Sequence, residues 1–244
     1  MRLRKKKAGA SSAICRYTES SVLALRIVRC CPNPVSKNQR ENVINSILPI
    51  IQKTYILKVL RSLYAQLLDS LDEADLVNVG IDNFLLFVEY FSTYTESSEE
   101  MKKIYAYLRE NPLLRTRLYD IRKELSTGKH ISEYLNAHEK KIEWQLKRLY
   151  RARNIATHVG EELTYLEIVI NHLHNYFDFS VNYILCKSEN GDYINSISTL
   201  VFEAQIDNRI HNEMLKTDQR LSSDNYKDFL FGPDQNLINY AFDA

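Results

Sequence analysis

An all-α fold is predicted by the composition and by the spacing of apolar residues. The 244 residues include only 6 Gly and 5 Pro, with 16 Tyr and many Leu, Ile, Glu and Lys, which is typical of helices joined by few tight turns. Apolar residues recur at spacings of three, four and seven, the period of one buried helix face. A chain of this length can bury one large core or two small ones.

The first 36 residues are basic and rich in serine. Their single apolar run, 22–28, is interrupted by Arg26 and is far too short to cross a membrane. We therefore expect 1–36 to be a poorly structured segment, and we expect no membrane association. A targeting peptide and an alternative start of a longer protein stay open.

The next two apolar stretches, 37–73 and 78–94, are predicted to be helical. In 37–73 the apolar positions keep helical spacing, and Pro49 indicates a break or a kink, so this stretch is one long helix or two. In 78–94 the apolar residues are nearly continuous, so their period cannot separate a buried helix from a strand. The length of the stretch favours a helix.

Capping residues predict where the following helices begin. The polar run 93–100 predicts a loop whose last four residues, two serines and two glutamates, cap the next helix. Asn111 and Pro112 predict another helix, with proline in its first turn and Gly128 at its end. A third helix, 131–158, would pair with it in antiparallel orientation.

The C-terminal part is predicted to contain two more long helices and a tail. The first, 163–187, is expected to turn a row of apolar residues inward: Leu166, Val169, Leu173, Tyr176, Phe177, Val181 and Ile184. A turn at 190–192 precedes a helix at 193–215, and a docked tail with one short helix follows. We therefore expect a helical bundle at 37–190 and a C-terminal helix with a docked tail at 191–244.

The helix predicted at 131–158 ends in an unusual way. Its apolar row runs through Ile131, Leu135, Ile142, Leu146 and Leu149, and the next position on the row is Arg153. A guanidinium taken out of water costs several kcal/mol unless it is paired or hydrogen-bonded. Arg153 is therefore a candidate functional residue.

A second, polar row follows the same helix. Asn154 and His158 lie four residues apart and share a face, so the amide can orient the imidazole. Lys147, Arg148 and Arg151 crowd the same turns, so a local phosphate-binding surface is predicted although the chain carries a net charge of only +1. Arg153 and His158 diverge by about 140° around the helix. A two-fold pairing, the commonest symmetry of soluble oligomers, would gather both residues of two chains at one site.

These residues carry a resemblance to a known family. Arg148, Tyr150, Arg153, Asn154, His158 and Gly160 match the pattern Arg-x-Tyr-x-x-Arg-Asn-x-x-x-His-x-Gly, and Arg151 lies within it. The segment resembles HEPN domains, in particular those of bacterial defence-associated proteins, over about 130–190.

The resemblance implies a HEPN-type antiparallel helical bundle, here with extra N- and C-terminal helices. It also implies a metal-independent endoribonuclease that acts on single-stranded RNA in antiviral or toxin-like defence. The expected catalytic residues are Arg153, Asn154 and His158, and the expected RNA-binding residues are Lys147, Arg148 and Arg151. The expected partners are RNA and a second copy of the chain; whether a sensor or antitoxin protein also takes part is left open.

Other interpretations compete with this one. Arg153 would be structural if it binds a carboxylate such as Asp120 or Glu124, and His158 would be structural if it binds the last carbonyls of its helix. The chain would then be a catalytically silent HEPN-like module that binds a nucleotide or a partner protein, or a purely structural helical subunit.

The remaining sequence predicts no cofactor and no metal site. The four cysteines lack metal-ligand spacing and favour a reducing, cytoplasmic compartment. His172 and His174 lie two residues apart and so do not share a helix face, and His130 and His138 have no acidic partner at metal spacing. The few glycines are scattered, which disfavours a phosphate-cradling loop.

Overall fold

The computed structural model describes residues 37–95, 97–158, 165–189 and 196–234. These residues form nine α-helices, one 3₁₀ turn at Leu108–Glu110 and no β-strand, which confirms the all-α class. The helices are α1 Lys37–Ser70, α2 Glu73–Val79, α3 Phe84–Thr93, α4 Glu99–Tyr107, α5 Pro112–Glu124, α6 Gly128–His158, α7 Leu166–Glu189, α8 Ile197–Met214 and α9 Tyr226–Phe231.

Helix α1 continues through Pro49 as one helix of 34 residues. A proline inside a helix removes one backbone hydrogen bond and costs about 3 kcal/mol, so other contacts must offset this loss. Most residues from Leu48 to Leu57 are buried, and Leu60, Leu63 and Leu67 continue the buried face. Burial along these turns stabilises one continuous helix across Pro49, where the sequence is compatible with either one helix or two.

The prediction of a single helix over 78–94 is wrong. Helix α2 ends at Val79 and α3 begins at Phe84. Gly80 has φ of 81°, and its N–H donates to the Leu76 and Val77 carbonyls; glycine adopts this left-handed conformation without strain. The side chain of Asn83 then accepts from the N–H of Leu86 at 2.9 Å and so caps α3.

The predicted caps of α4 and α5 are confirmed. Ser98 accepts from Met101 N–H at 3.2 Å, and Asn111 accepts from Leu114 N–H at 3.1 Å. Gly128, predicted to end a helix, is instead the first residue of α6. Helix α5 ends earlier, at Glu124, and three residues connect it to α6.

The described residues divide into two compact units. The larger comprises Ser46–Lys141 and the described residues from Phe179 onward, and the smaller comprises 37–45 with the described residues of Ile142–Asp178. Residues of α1 to α5 and the first turns of α6 contribute to the larger core, which also includes Leu221 and four buried residues of α9: Tyr226, Phe229, Leu230 and Phe231. The predicted domain limits at 37 and 191 stay predictions.

The inward face of α7 was predicted only in part. Val169 and Tyr176 are buried, but Phe177 is 54% exposed. Tyr183, which is not in the predicted inward row, is fully buried. Apolar residues surround much of this helix, so their period alone could not identify the buried side. Gly160, the turn at 190–192 and the apolar cluster at 237–242 lie outside the described residues.

Candidate functional site

The candidate residues belong to the last turns of α6, in the smaller unit. The predicted apolar face is largely confirmed, since Ile142 and Leu146 are buried and Leu149 is partly buried. Arg153, however, is only partly buried. A long arginine side chain can cover apolar surface with its methylene groups while its head remains near water, so the apolar row ends at the rim of the core.

Arg153 and Asn154 are brought together. The Nη1 atom of Arg153 donates to Oδ1 of Asn154 at 3.1 Å. Consecutive helical residues diverge by about 100°, so this bond turns the guanidinium from its own side of the helix toward the side of Asn154. Asn154 and His158 share a face, and the angular gap between Arg153 and His158 is therefore partly closed by the arginine side chain.

His158 is the last residue of α6. Its place on the helix is described, about 7.5 Å along the axis from Arg153, but its side chain lies outside what the structure describes. The predicted contact between the Asn154 amide and the His158 imidazole therefore stays a prediction.

The three predicted RNA-binding residues differ in their surroundings. Lys147 pairs with Glu143, one turn earlier on the exposed surface, at 2.5 Å. Arg151 is exposed. The guanidinium of Arg148 lies over the Trp144 ring at 5.4 Å and over the Tyr165 ring at 4.4 Å, so aromatic faces hold Arg148.

The sequence patterns do not predict a chain of polar contacts that lies beside these residues. The Tyr176 hydroxyl donates to Oε1 of Gln145, and Nε2 of Gln145 lies 3.4 Å from Nε2 of His172. Burial raises the pKa of Tyr176 to about 12, so this tyrosine is protonated at neutral pH. The four-residue spacing of His172 and Tyr176 could have indicated a shared face, but Gln145 comes from another helix and no local pattern predicts it.

No family model, curated protein or solved structure matches the chain. Within the described residues there is no group of three or more His, Cys, Asp or Glu side chains that could hold a metal ion. None of the helices α1 to α9 is long and apolar enough to cross a membrane. The family expectation therefore rests on the α6 motif.

Proposed function

We propose that the chain is a HEPN-type helical bundle that cleaves single-stranded RNA without a metal ion, in the cytoplasm and in antiviral or toxin-like defence. The observation that carries the proposal is the hydrogen bond from Arg153 to Asn154. This bond turns the Arg153 guanidinium toward the helix face on which His158 lies. Cleavage through the ribose hydroxyl can use these two groups, an imidazole to transfer a proton and a cation to stabilise the phosphoryl oxygens.

The proposed reaction begins at the ribose. An imidazole takes the proton of the 2′-hydroxyl, and the 2′-oxygen attacks the adjacent phosphorus. The bond from phosphorus to the 5′-oxygen breaks, and that oxygen takes a proton from a general acid. The products are a 2′,3′-cyclic phosphate and a 5′-hydroxyl. The guanidinium of Arg153 stabilises the negative charge on the phosphoryl oxygens.

A homodimer would supply both proton-transfer groups. One His158 would act as the base, and the His158 of a second copy would act as the acid. Asn154 would position an imidazole by accepting a hydrogen bond from its ring N–H, because Oδ1 keeps a second lone pair beside the one that accepts from Arg153. Lys147, Arg148 and Arg151 would form the RNA-binding surface, on which Arg151 is exposed and Lys147 is paired with Glu143.

The test is cleavage of a single-stranded RNA in the presence of EDTA, with analysis of the product ends. We expect cleavage to continue and to leave cyclic phosphates. His158→Ala should reduce the rate about 10²- to 10⁴-fold, the usual contribution of a general acid or base, without a change in melting temperature. Arg153→Gln should also be strongly impaired.

The matched control is His174→Ala, which removes a partly exposed histidine of α7 and should retain activity. Unchanged cleavage by folded His158→Ala protein would exclude this site. Loss of cleavage in EDTA, with magnesium restoring 3′-hydroxyl products, would exclude the mechanism.

A further inference from the structure

Trp144 is the single tryptophan of the chain, and it is 59% exposed on α6. The residue one place further, Gln145, is hydrogen-bonded to Tyr176 of α7, and Leu146 is buried. The indole therefore stands beside the packed face of the helix with most of its surface in water. A large exposed aromatic ring is a common feature of binding surfaces.

The ring has a defined neighbour. Arg148 lies one turn later, with its guanidinium over the indole at 5.4 Å, and Tyr165 contacts the same guanidinium at 4.4 Å. A cation over an aromatic face is attracted by the negative face of the ring. Two aromatic rings, one on α6 and one directly before α7, thus restrain one arginine, and that arginine restrains the orientation of Trp144. A surface ordered before binding loses less entropy when a ligand arrives.

The charge around the ring is positive. Residues 142–153 include four basic residues and one acidic residue. Lys147 and Arg151 lie within about 60° of Trp144 around the helix, so they share its face. Exposed aromatic rings among cations are the features with which proteins bind single-stranded nucleic acids, because every unpaired base has a face that can stack.

We propose that Trp144 is a stacking platform for an unpaired RNA base and that Arg148 is its positioning residue rather than a phosphate contact. The strand would run along α6 toward His158, about 21 Å away by helical rise, with Arg151 on its phosphates. The choice of RNA and the direction toward His158 rest on the proposed nuclease; the stacking surface rests on the contacts of Trp144.

The test uses 2′-O-methyl RNA, which lacks the attacking hydroxyl and so separates binding from cleavage. Because Trp144 is the only tryptophan, its fluorescence reports the platform directly. We expect single-stranded oligonucleotides to quench it in a saturable way. The same strand in a duplex, and a strand of abasic residues, should bind without comparable quenching. Equal quenching by abasic strands would overturn the proposal.

Variants provide a second measurement, the anisotropy of a labelled oligonucleotide. Trp144→Ala should weaken binding about 5- to 150-fold, the range for loss of one stacked base, whereas Trp144→Phe should retain most of the affinity. The control Tyr119→Ala removes another exposed aromatic ring, in the larger unit, and should bind as wild type does. Wild-type affinity in Trp144→Ala would contradict the proposal.

Salt dependence separates the two arginines. Arg151→Gln should lower the slope of log affinity against log salt by about 0.7, the value for one phosphate contact on a single strand. Arg148→Lys keeps the charge but loses the planar stack, so it should weaken binding with little change in slope. Quenching without cleavage would support the stacking role of Trp144 and contradict the proposed nuclease activity. Cleavage by Trp144→Ala with an unchanged KM would contradict the stacking role alone.

Discussion

The larger unit contains a cluster of buried charged side chains, whereas the charged side chains on α6 of the smaller unit lie at the surface. In the larger unit, Lys53 pairs with Asp207 and lies 3.6 Å from Asp234, which in turn lies 2.7 Å from Lys187. Side-chain exposure is only 4% for Lys53, 7% for Asp234 and 12% for Lys187. Two cations and two anions thus neutralise each other, three of them largely out of water and Asp207 25% exposed.

In the smaller unit the cations of α6 remain at the surface. Arg151 is exposed, Arg148 lies against aromatic rings, and the Lys147 pair with Glu143 is open to solvent. A buried ion needs its partner for the fold, whereas an exposed ion contributes little to it. The difference indicates that the buried charge of the larger unit is structural and that the charge on α6 is accessible to a ligand.

The buried network gives the largest expected effect. Asp234→Asn would leave Lys53 and Lys187 with reduced compensation, and we expect it to lower the free energy of unfolding by about 3 kcal/mol, measured by urea denaturation. The control Asp224→Asn, at an exposed position, should cost at most about 0.5 kcal/mol. Equal effects of the two changes would remove the distinction between buried and exposed charge.

The second prediction for the larger unit concerns His138 and the dependence of stability on pH. Its ring stacks on Tyr55 with centroids 3.3 Å apart, and burial, with smaller effects of Lys141 and Lys58, lowers its pKa to about 4. An unfolded chain binds this proton near pH 6.5, so stability is fully present above that pH and is lost as the pH falls toward 4. We expect a loss of about 2 kcal/mol, since part of the ring contacts solvent.

His138→Phe keeps a ring against Tyr55 and removes the titration, so its unfolding free energy should change less between pH 7 and pH 4.5. His211, whose pKa burial also lowers, would account for part of the remaining dependence. An unchanged pH profile in His138→Phe would show that His138 does not cause it.

Subunit mixing examines whether two copies share the α6 site. Wild-type chains mixed with an equal amount of His158→Ala chains, under conditions of subunit exchange, should retain about a quarter of the activity, because only dimers of two wild-type chains are complete. Retention of about half would mean that each chain carries an independent site.

The smallest expected effect concerns the exposed pair of α6. Glu143→Gln should lower stability by no more than about 0.5 kcal/mol, because both side chains remain in water. It would release Lys147, so RNA should bind more tightly and the salt slope should rise by up to about 0.7. Weaker binding by this variant would contradict the assignment of Lys147 to the RNA surface.

Local chemistry predicted much of the fold. Ser98 and Asn111 were recognisable because a cap needs only a side-chain oxygen next to its own helix. The break after Val79 was not recognised because the apolar run on both sides obscured Gly80. Tyr183 belongs to a buried cluster with Ile50, which lies 133 residues earlier in the sequence, and no local pattern contains that contact.

The candidate site also contains some contacts that the sequence could predict and others that it could not. The spacing of Trp144 and Arg148 places them on neighbouring turns, so their contact could have been predicted. Tyr165 completes that stack from the residue before α7, and the bond from Arg153 to Asn154 depends on the rotamer of a long side chain. Helical geometry alone predicts that these consecutive residues diverge.

Gly128 limits how this sequence can vary. A Cβ atom at this position would lie 2.6 Å from the carbonyl oxygen of Thr217 and 3.2 Å from that of Leu215, and its own N–H donates to the carbonyl of Gln219. Both obstacles are backbone atoms, so no change of rotamer can relieve the overlap. In a saturation library every other amino acid at this codon should be depleted, and a related protein that lacks this glycine should differ in the path of its 215–219 segment as well.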